Sequence, residues 1–234
     1  HPVKELAKLT QGTETLLFVD GITGVGVTSI PFDEWGIDVL VTGSQKALML
    51  PPGLAFACLS EKAWKAAENS NLPRFYFDFK KEHKKIKENS TNYTPAITLI
   101  IGMREVLRKC REVGFDTIYK ENAAMARATR AAATALGLEL FAPDSPSDAL
   151  TAIKAPAGID GQQVVKVMRD EMGIAIAGGQ AEAKGKIFRI AHMGFISKWD
   201  LLSAIGALEK TLAKLGHSFT PGAGTSALIA ELDI

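Results

Sequence analysis

The stretch Gly43-Ser44-Gln45-Lys46-Ala47-Leu48 constrains this chain most. Before it, Ile37-Asp38-Val39-Leu40-Val41-Thr42 has the apolar, β-branched character of a buried strand. After it, Pro51 and Pro52 lack the amide a strand ladder requires, so the strand cannot continue. Lys46 is therefore expected on a tight loop just past a strand end. In an α/β sheet that edge is where ligands bind. A lysine held there is a candidate nucleophile, with Schiff-base chemistry the leading option.

The flanking pattern extends this reading. Residues 3–9 read as the end of an amphipathic helix. The run Thr15-Leu16-Leu17-Phe18-Val19 reads as a central parallel strand ending in Asp20-Gly21. Residues 22–36 form an irregular crossover. The apolar run 53–59 follows a loop too short for a crossover helix, so a third buried strand pairing antiparallel is expected. The architecture predicted is a mainly parallel α/β sheet. Residues 61–68 read as a short helix. An aromatic block (Phe75, Tyr76, Phe77, Phe79) then adjoins a lysine-rich run over 80–88 that acidic residues dilute. Bases and aromatics stand there as neighbouring blocks, as in a solvated helix beside a packed aromatic segment, and are not interleaved as on a nucleic-acid surface.

Thr94-Pro95 carries an N-cap and first-turn proline signature for a helix over 94–113, stopped by Gly114. An alanine-rich helix over 115–136 ends at Gly137 and suits a connector. Beyond it, a strand-like segment at 138–141, strands at 149–154, 174–177 and 187–191 and helices at 161–172 and 198–215 describe a small α+β domain. The division expected is 1–114, 115–218 and a loosely held tail, 219–234.

Composition limits the function classes. A net charge of +1 over 234 residues argues against nucleic acid or a membrane surface as the main partner. The apolar runs are too short to span a bilayer. Cys58 and Cys110 form no framework, are expected as buried thiols, and suit a reducing cytoplasm. His83 and His217 are expected to face solvent, and His192 to be a satisfied, half-buried side chain. No Cys, His and carboxylate spacing suggests a metal site.

Asp20 and Lys46, 26 residues apart, both follow apolar strands and should share one sheet edge on neighbouring strands. A pyridoxal phosphate enzyme requires such a pair, a lysine for the aldehyde and a carboxylate for the pyridinium nitrogen. An exposed lysine and a turn-forming aspartate would meet the same spacing.

The ordered motifs carry more information. Val19-Asp20-Gly21-Ile22-Thr23, Gly36-Ile37-Asp38-Val39, Gly43-Ser44-Gln45-Lys46-Ala47-Leu48 with Pro51-Pro52-Gly53, Thr94-Pro95-Ala96, Arg104-Glu105 and Arg189-Ile190-Ala191-His192-Met193-Gly194 together resemble the class V aminotransferases of fold type I. Within these, the match is to the alanine–glyoxylate and serine–glyoxylate (serine–pyruvate) group. The resemblance covers almost all of the chain except the tail. It implies pyridoxal 5′-phosphate as cofactor and Lys46 as the internal aldimine lysine that also shuttles the substrate proton. It implies Asp20 on the pyridine nitrogen and Gln45 as a cofactor contact. Thr94, assisted by Thr91 or Tyr93, would reach the cofactor phosphate of the partner subunit in a homodimer. Arg189 would bind the substrate α-carboxylate, with Gly178 and Gly179 letting backbone approach the substrate.

The implied reaction moves an amino group from alanine or serine to glyoxylate or pyruvate. Two alternatives stay open. One is the same fold with another donor, such as 2-aminoethylphosphonate or a kynurenine-type amino acid. The other is a non-catalytic structural subunit. The family's phosphate loop and ring-stacking aromatic would lie upstream of His1, so the sequence is expected to be a fragment that is inactive or weakly folded alone.

Overall fold

A computed structural model describes all 234 residues. The chain divides into two compact units, residues 1–25 with 29–112 and residues 26–28 with 113–234. No helix is long and apolar enough to cross a membrane.

The first unit is built on a three-stranded sheet of order β1-β2-β3. Helix α1 (Val3–Thr10) precedes β1 (Phe18–Asp20); α2 (Phe32–Trp35) lies between β1 and β2 (Val39–Gly43); β3 (Ala55–Leu59) follows. Strands β1 and β2 run parallel, with Asp20 opposite Val41, and β3 pairs antiparallel to β2. The core gathers around β2, with Ile37, Val39, Leu40, Ala47 and Leu48 buried. The outer strands are less covered than their apolar sequences suggest. Phe18 on β1 is 67% exposed, and β1 is an edge strand of three residues where a central one was expected. Cys58 on β3 is exposed, against the expectation of a buried thiol, because β3 is also an edge. Cys110 is buried as expected, and burial pushes its thiol pKa up.

Asp38, just before β2, is 4% exposed. Its carboxylate accepts from the Leu17 amide and the Ser60 hydroxyl, both at 2.9 Å, and pairs with Lys62 at 3.4 Å. Burial alone raises its pKa; these bonds outweigh that and hold it below the ordinary value. Ser60 also caps α3 (Glu61–Glu68), and Asp78 caps the lysine-rich α4 (Phe79–Lys87). Helix α5 (Ile97–Val113) starts three residues after Thr94, so Thr94 is not its N-cap; the Ala96 carbonyl receives the first helical bond, from Ile100.

The second unit packs α6 (Phe115–Ala135), α7 (Gly161–Asp170), α8 (Lys198–Lys214) and α9 (Ala223–Leu232) with an antiparallel sheet of order β4-β6-β5. The strands are β4 (Leu150–Lys154), β5 (Ala177–Gly178) and β6 (Ile187–Ala191). Its core joins Ala128, Ala132 and Leu136 of the α6 end to Ile153, Val164, Met168, Phe188, Ile205, Leu208 and Leu228. The tail is not loose. Leu228 of α9 is fully buried, and a Cβ at Gly224 would stand 2.9 Å from Leu136, so the glycine permits close helix approach. Helix α9 lacks a side-chain cap of its own. Glu209 of α8 supplies one, accepting from the Gly222 and Thr225 amides at 2.9 Å each.

Glu209→Ala should therefore lower the unfolding free energy by about 1–2 kcal/mol, as for a lost cap. Leu228→Ala should lower it by about 2–5 kcal/mol through the cavity it leaves. Urea denaturation reads both, and unchanged midpoints would mean that α9 is not part of the cooperative unit.

Candidate functional site

Two groups of side chains stand out, one in each unit. In the first, Asp20 ends β1 and Lys46 lies in the turn that follows β2. Because these strands are parallel and in register, both residues leave the sheet at the same carboxyl edge. Lys46 is exposed and its ammonium makes no hydrogen bond or ion pair. Its carbonyl accepts from the Met49 amide at 3.0 Å, which closes the turn. Met49 itself has φ 58°, a left-handed conformation unusual for a side chain of its size. Asp20 is exposed, and one oxygen, Oδ1, accepts from the Ile22 amide at 2.9 Å. The other oxygen has no protein partner.

Gln45, also exposed, folds back over the strand end, where a Cβ at Gly43 would meet its Oε1 at 2.6 Å. A free primary amine and a half-used carboxylate on one sheet edge fit an aldehyde cofactor with a basic ring nitrogen. Thr91, Tyr93 and Thr94 lie in the segment before α5, all exposed. The Thr91 hydroxyl donates to the Tyr93 carbonyl at 2.7 Å, and the Tyr93 ring stacks on Tyr76 with centroids 4.4 Å apart.

The second group surrounds Arg189 on β6, the middle strand of its sheet, where it is paired with Ala152 on one side and Ala177 on the other. Its Nε–H donates to the Gly178 carbonyl at 2.9 Å. That bond fixes the guanidinium plane and leaves both terminal nitrogens without a protein partner. A fork of this kind matches a carboxylate. Gly179 has a local use: a Cβ there would stand 2.0 Å from the Ala183 carbonyl oxygen, so its own chain requires the glycine.

Sequence reasoning placed His192 as half-buried; it is completely buried. Its Nδ1–H donates to the Asp148 carbonyl at 2.8 Å, and Nε2 accepts from the Thr151 hydroxyl at 3.0 Å. These bonds tie the end of β6 to β4 and its approach. His217 is also less exposed than expected, because Nε2 bonds the Leu136 carbonyl at 2.8 Å beyond α6. His83 is exposed and tilts against Trp64. Two contributors escaped the sequence reading. The Gly178 carbonyl carries no residue signal. Ser44 stood inside the quoted motif but was read only as loop.

Burial, reinforced by the charge on Arg130, pushes the His192 pKa down to about 4, although the bond to Asp148 works in the opposite direction. A histidine depressed in this way stabilises the fold fully above its unfolded pKa near 6.5, and the contribution disappears as pH falls toward 4. The predicted loss across that window is on the order of 3 kcal/mol. It is read as a falling urea midpoint between pH 6.5 and 4, a slope that His192→Asn should flatten.

A model of the aminotransferase class-V family matches residues 1–196. A protein from Synechococcus sp. (strain PCC 6716), described as "Soluble hydrogenase, small subunit", is 44% identical over 216 residues, covering 92% of this chain and 56% of its own length. A serine–glyoxylate aminotransferase from Methylorubrum extorquens is 41% identical over 230 residues, covering 94% of this chain and 57% of its own length. The chain thus spans little more than half the length of these relatives. Among solved structures, a ureidoglycine–glyoxylate aminotransferase from Bacillus subtilis matches with TM-score 0.90 and 28% identity over 100% of this chain and 62% of that one.

Proposed function

Because the chain belongs to the class-V aminotransferase family, whose cofactor is pyridoxal 5′-phosphate, we propose that the protein transfers an amino group from alanine or serine to glyoxylate or pyruvate. The observation that carries the proposal is the placement of Lys46 and Asp20 at one carboxyl edge of two parallel strands, each with unused polar capacity. The choice of serine and glyoxylate draws on the named activity of the Methylorubrum relative.

When bound, pyridoxal 5′-phosphate supplies an electron-withdrawing ring that takes up charge as the substrate Cα–H bond breaks. Lys46 Nζ would hold the cofactor through its aldehyde carbon. Released by the substrate amine, the same Nζ would be the base that takes the proton from the substrate Cα and the acid that returns it. The free oxygen of Asp20 would hold the ring nitrogen and keep it protonated by its charge. Gln45 would contact the cofactor beside Lys46. The terminal N–H groups of Arg189 grip the substrate α-carboxylate, aimed by the Gly178 carbonyl, while Gly178 and Gly179 keep that approach free of side chains.

We place Thr94, with Thr91 and Tyr93, on the cofactor phosphate of a partner subunit in a homodimer. Support for this placement comes from the segment itself, where Thr91, Tyr93 and Thr94 are all exposed. Two free cysteines suit a cytoplasmic setting.

Two other readings have specific support. The Bacillus structure carries a different named donor with glyoxylate, which favours the same chemistry on another amine. The Synechococcus relative is named as a subunit, which favours a role within a larger assembly.

Lys46→Ala is expected to abolish the visible absorbance of bound cofactor and to slow amino transfer by about 10²–10⁴-fold. Arg189→Ala should raise KM for amino and oxo acids about 10–10²-fold, with a smaller change in kcat. A donor panel with glyoxylate separates the readings. Turnover with alanine or serine supports the first, turnover with other amines only supports the second, and absence of both colour and transfer supports the third.

A further inference from the structure

Ser44 is fully buried between Gly43, the last residue of β2, and the exposed pair Gln45 and Lys46. All of its polar groups are engaged, and all by the ten residues that follow it. Its amide donates to the Leu54 carbonyl at 3.0 Å, continuing the β2–β3 ladder one step past the Gly43 and Ala55 pair. An antiparallel ladder would complete that step with the Leu54 amide donating to the Ser44 carbonyl. Here the Leu54 amide donates to the Ser44 hydroxyl oxygen instead, at 3.2 Å. The carbonyl so released accepts from the Leu50 amide at 3.0 Å. The hydroxyl proton goes to the Pro51 carbonyl at 2.7 Å.

One side-chain oxygen thus stands in for a backbone carbonyl and lets the strand stop at Gly43. The chain can then turn back at once, with Lys46 at the crest of the turn. Pro51 and Pro52 bring no amides of their own, so the loop has few other donors with which to close. Met49, inside the closed loop, stands at φ 58°.

We propose that Ser44 is the positioning residue of the Lys46 amine: its hydroxyl holds the 44–54 loop in the one closed form that presents Nζ at the sheet edge. This rests on the reading of Lys46 as the cofactor-bearing amine. Removing the hydroxyl leaves the Pro51 carbonyl and the Leu54 amide without their shared protein partner; residues 51–53 are exposed, so the loop opens, water takes up both groups at little cost to global stability, and Nζ loses its aim. Ser44 touches neither cofactor nor substrate; it acts through Lys46.

The test follows covalent capture of pyridoxal 5′-phosphate in the full-length protein. Cofactor is added to the apoprotein, borohydride reduces the adduct at timed intervals, and peptide mass spectrometry reads the fraction attached to residue 46. Ser44→Ala should form the Lys46 adduct about tenfold more slowly, with the pH midpoint of the cofactor's visible absorbance shifted. Its urea midpoint should stay close to that of the unmodified protein. Ser44→Cys, which keeps a weak donor and acceptor, should recover part of the rate. Capture by Ser44→Ala at the unmodified rate overturns the proposal. If Ser44→Ala fails to fold, Ser44→Cys decides: slowed capture with an unshifted urea midpoint supports the proposal, and unslowed capture overturns it. Equal losses in Ser44→Ala and Ser44→Cys, in step with lowered global stability, also overturn it. Lys46→Ala is the separate control: undiminished total cofactor capture there would overturn the reading of Lys46 and not the geometry of its loop.

Discussion

The Asp38 carboxylate ties together the three strands of the first unit at the end opposite Lys46. It takes the amide that leads into β1, the hydroxyl that ends β3 and caps α3, and the ammonium of Lys62. Lys62 in turn reaches the Thr15 carbonyl before β1. A sheet of three short strands, two of them edges, has little else to set its register at that end. With register fixed at the amino ends, Asp20 falls opposite Val41, and the parallel pair delivers Asp20 and the Lys46 loop to one edge. The candidate chemistry at the carboxyl end therefore depends on a buried charge at the amino end. Such a charge is tolerable because every oxygen is bonded.

Ser44 and Asp38 divide the work on β2. Asp38 fixes where the strand begins, and Ser44 fixes where it stops. Between them the strand is short and largely buried, with no freedom to slide without moving Lys46 relative to Asp20. In the second unit a different device serves the same need. Arg189 occupies the middle strand, and the buried His192 anchors the end of that strand to β4.

Where the sequence could be read, it was through signals held within a few residues. The short helix over 61–68 and the alanine-rich helix closed by Gly137 are both in the structure, and the continuous apolar run before Lys46 marked β2. The Asp20 and Lys46 edge was legible because two strand ends and a short crossover leave few arrangements open. The failures share a cause. Apolar runs at 15–19 and 53–59 report that a segment can be buried, and the number of neighbours decides whether it is; Phe18 and Cys58 lie on strands with one neighbour each. The tail, with Pro221 and Gly222, was read as loosely held because the cap of its helix comes from Glu209 on another helix. Thr94 had the right residue type before a proline, but the helix began at Ile97. The Ser44 ring was hidden because its partners are main-chain atoms of Leu50, Pro51 and Leu54, which residue type does not signal.

The bond from Arg189 Nε to the Gly178 carbonyl has a consequence for how this protein can change over generations. Its acceptor is main chain, so no codon change at position 178 deletes it while the strand pairing of β5 and β6 survives. The aim of the guanidinium is thereby buffered against drift. New preferences for what the fork grips would have to arise from residues around it, or from loss of the arginine itself.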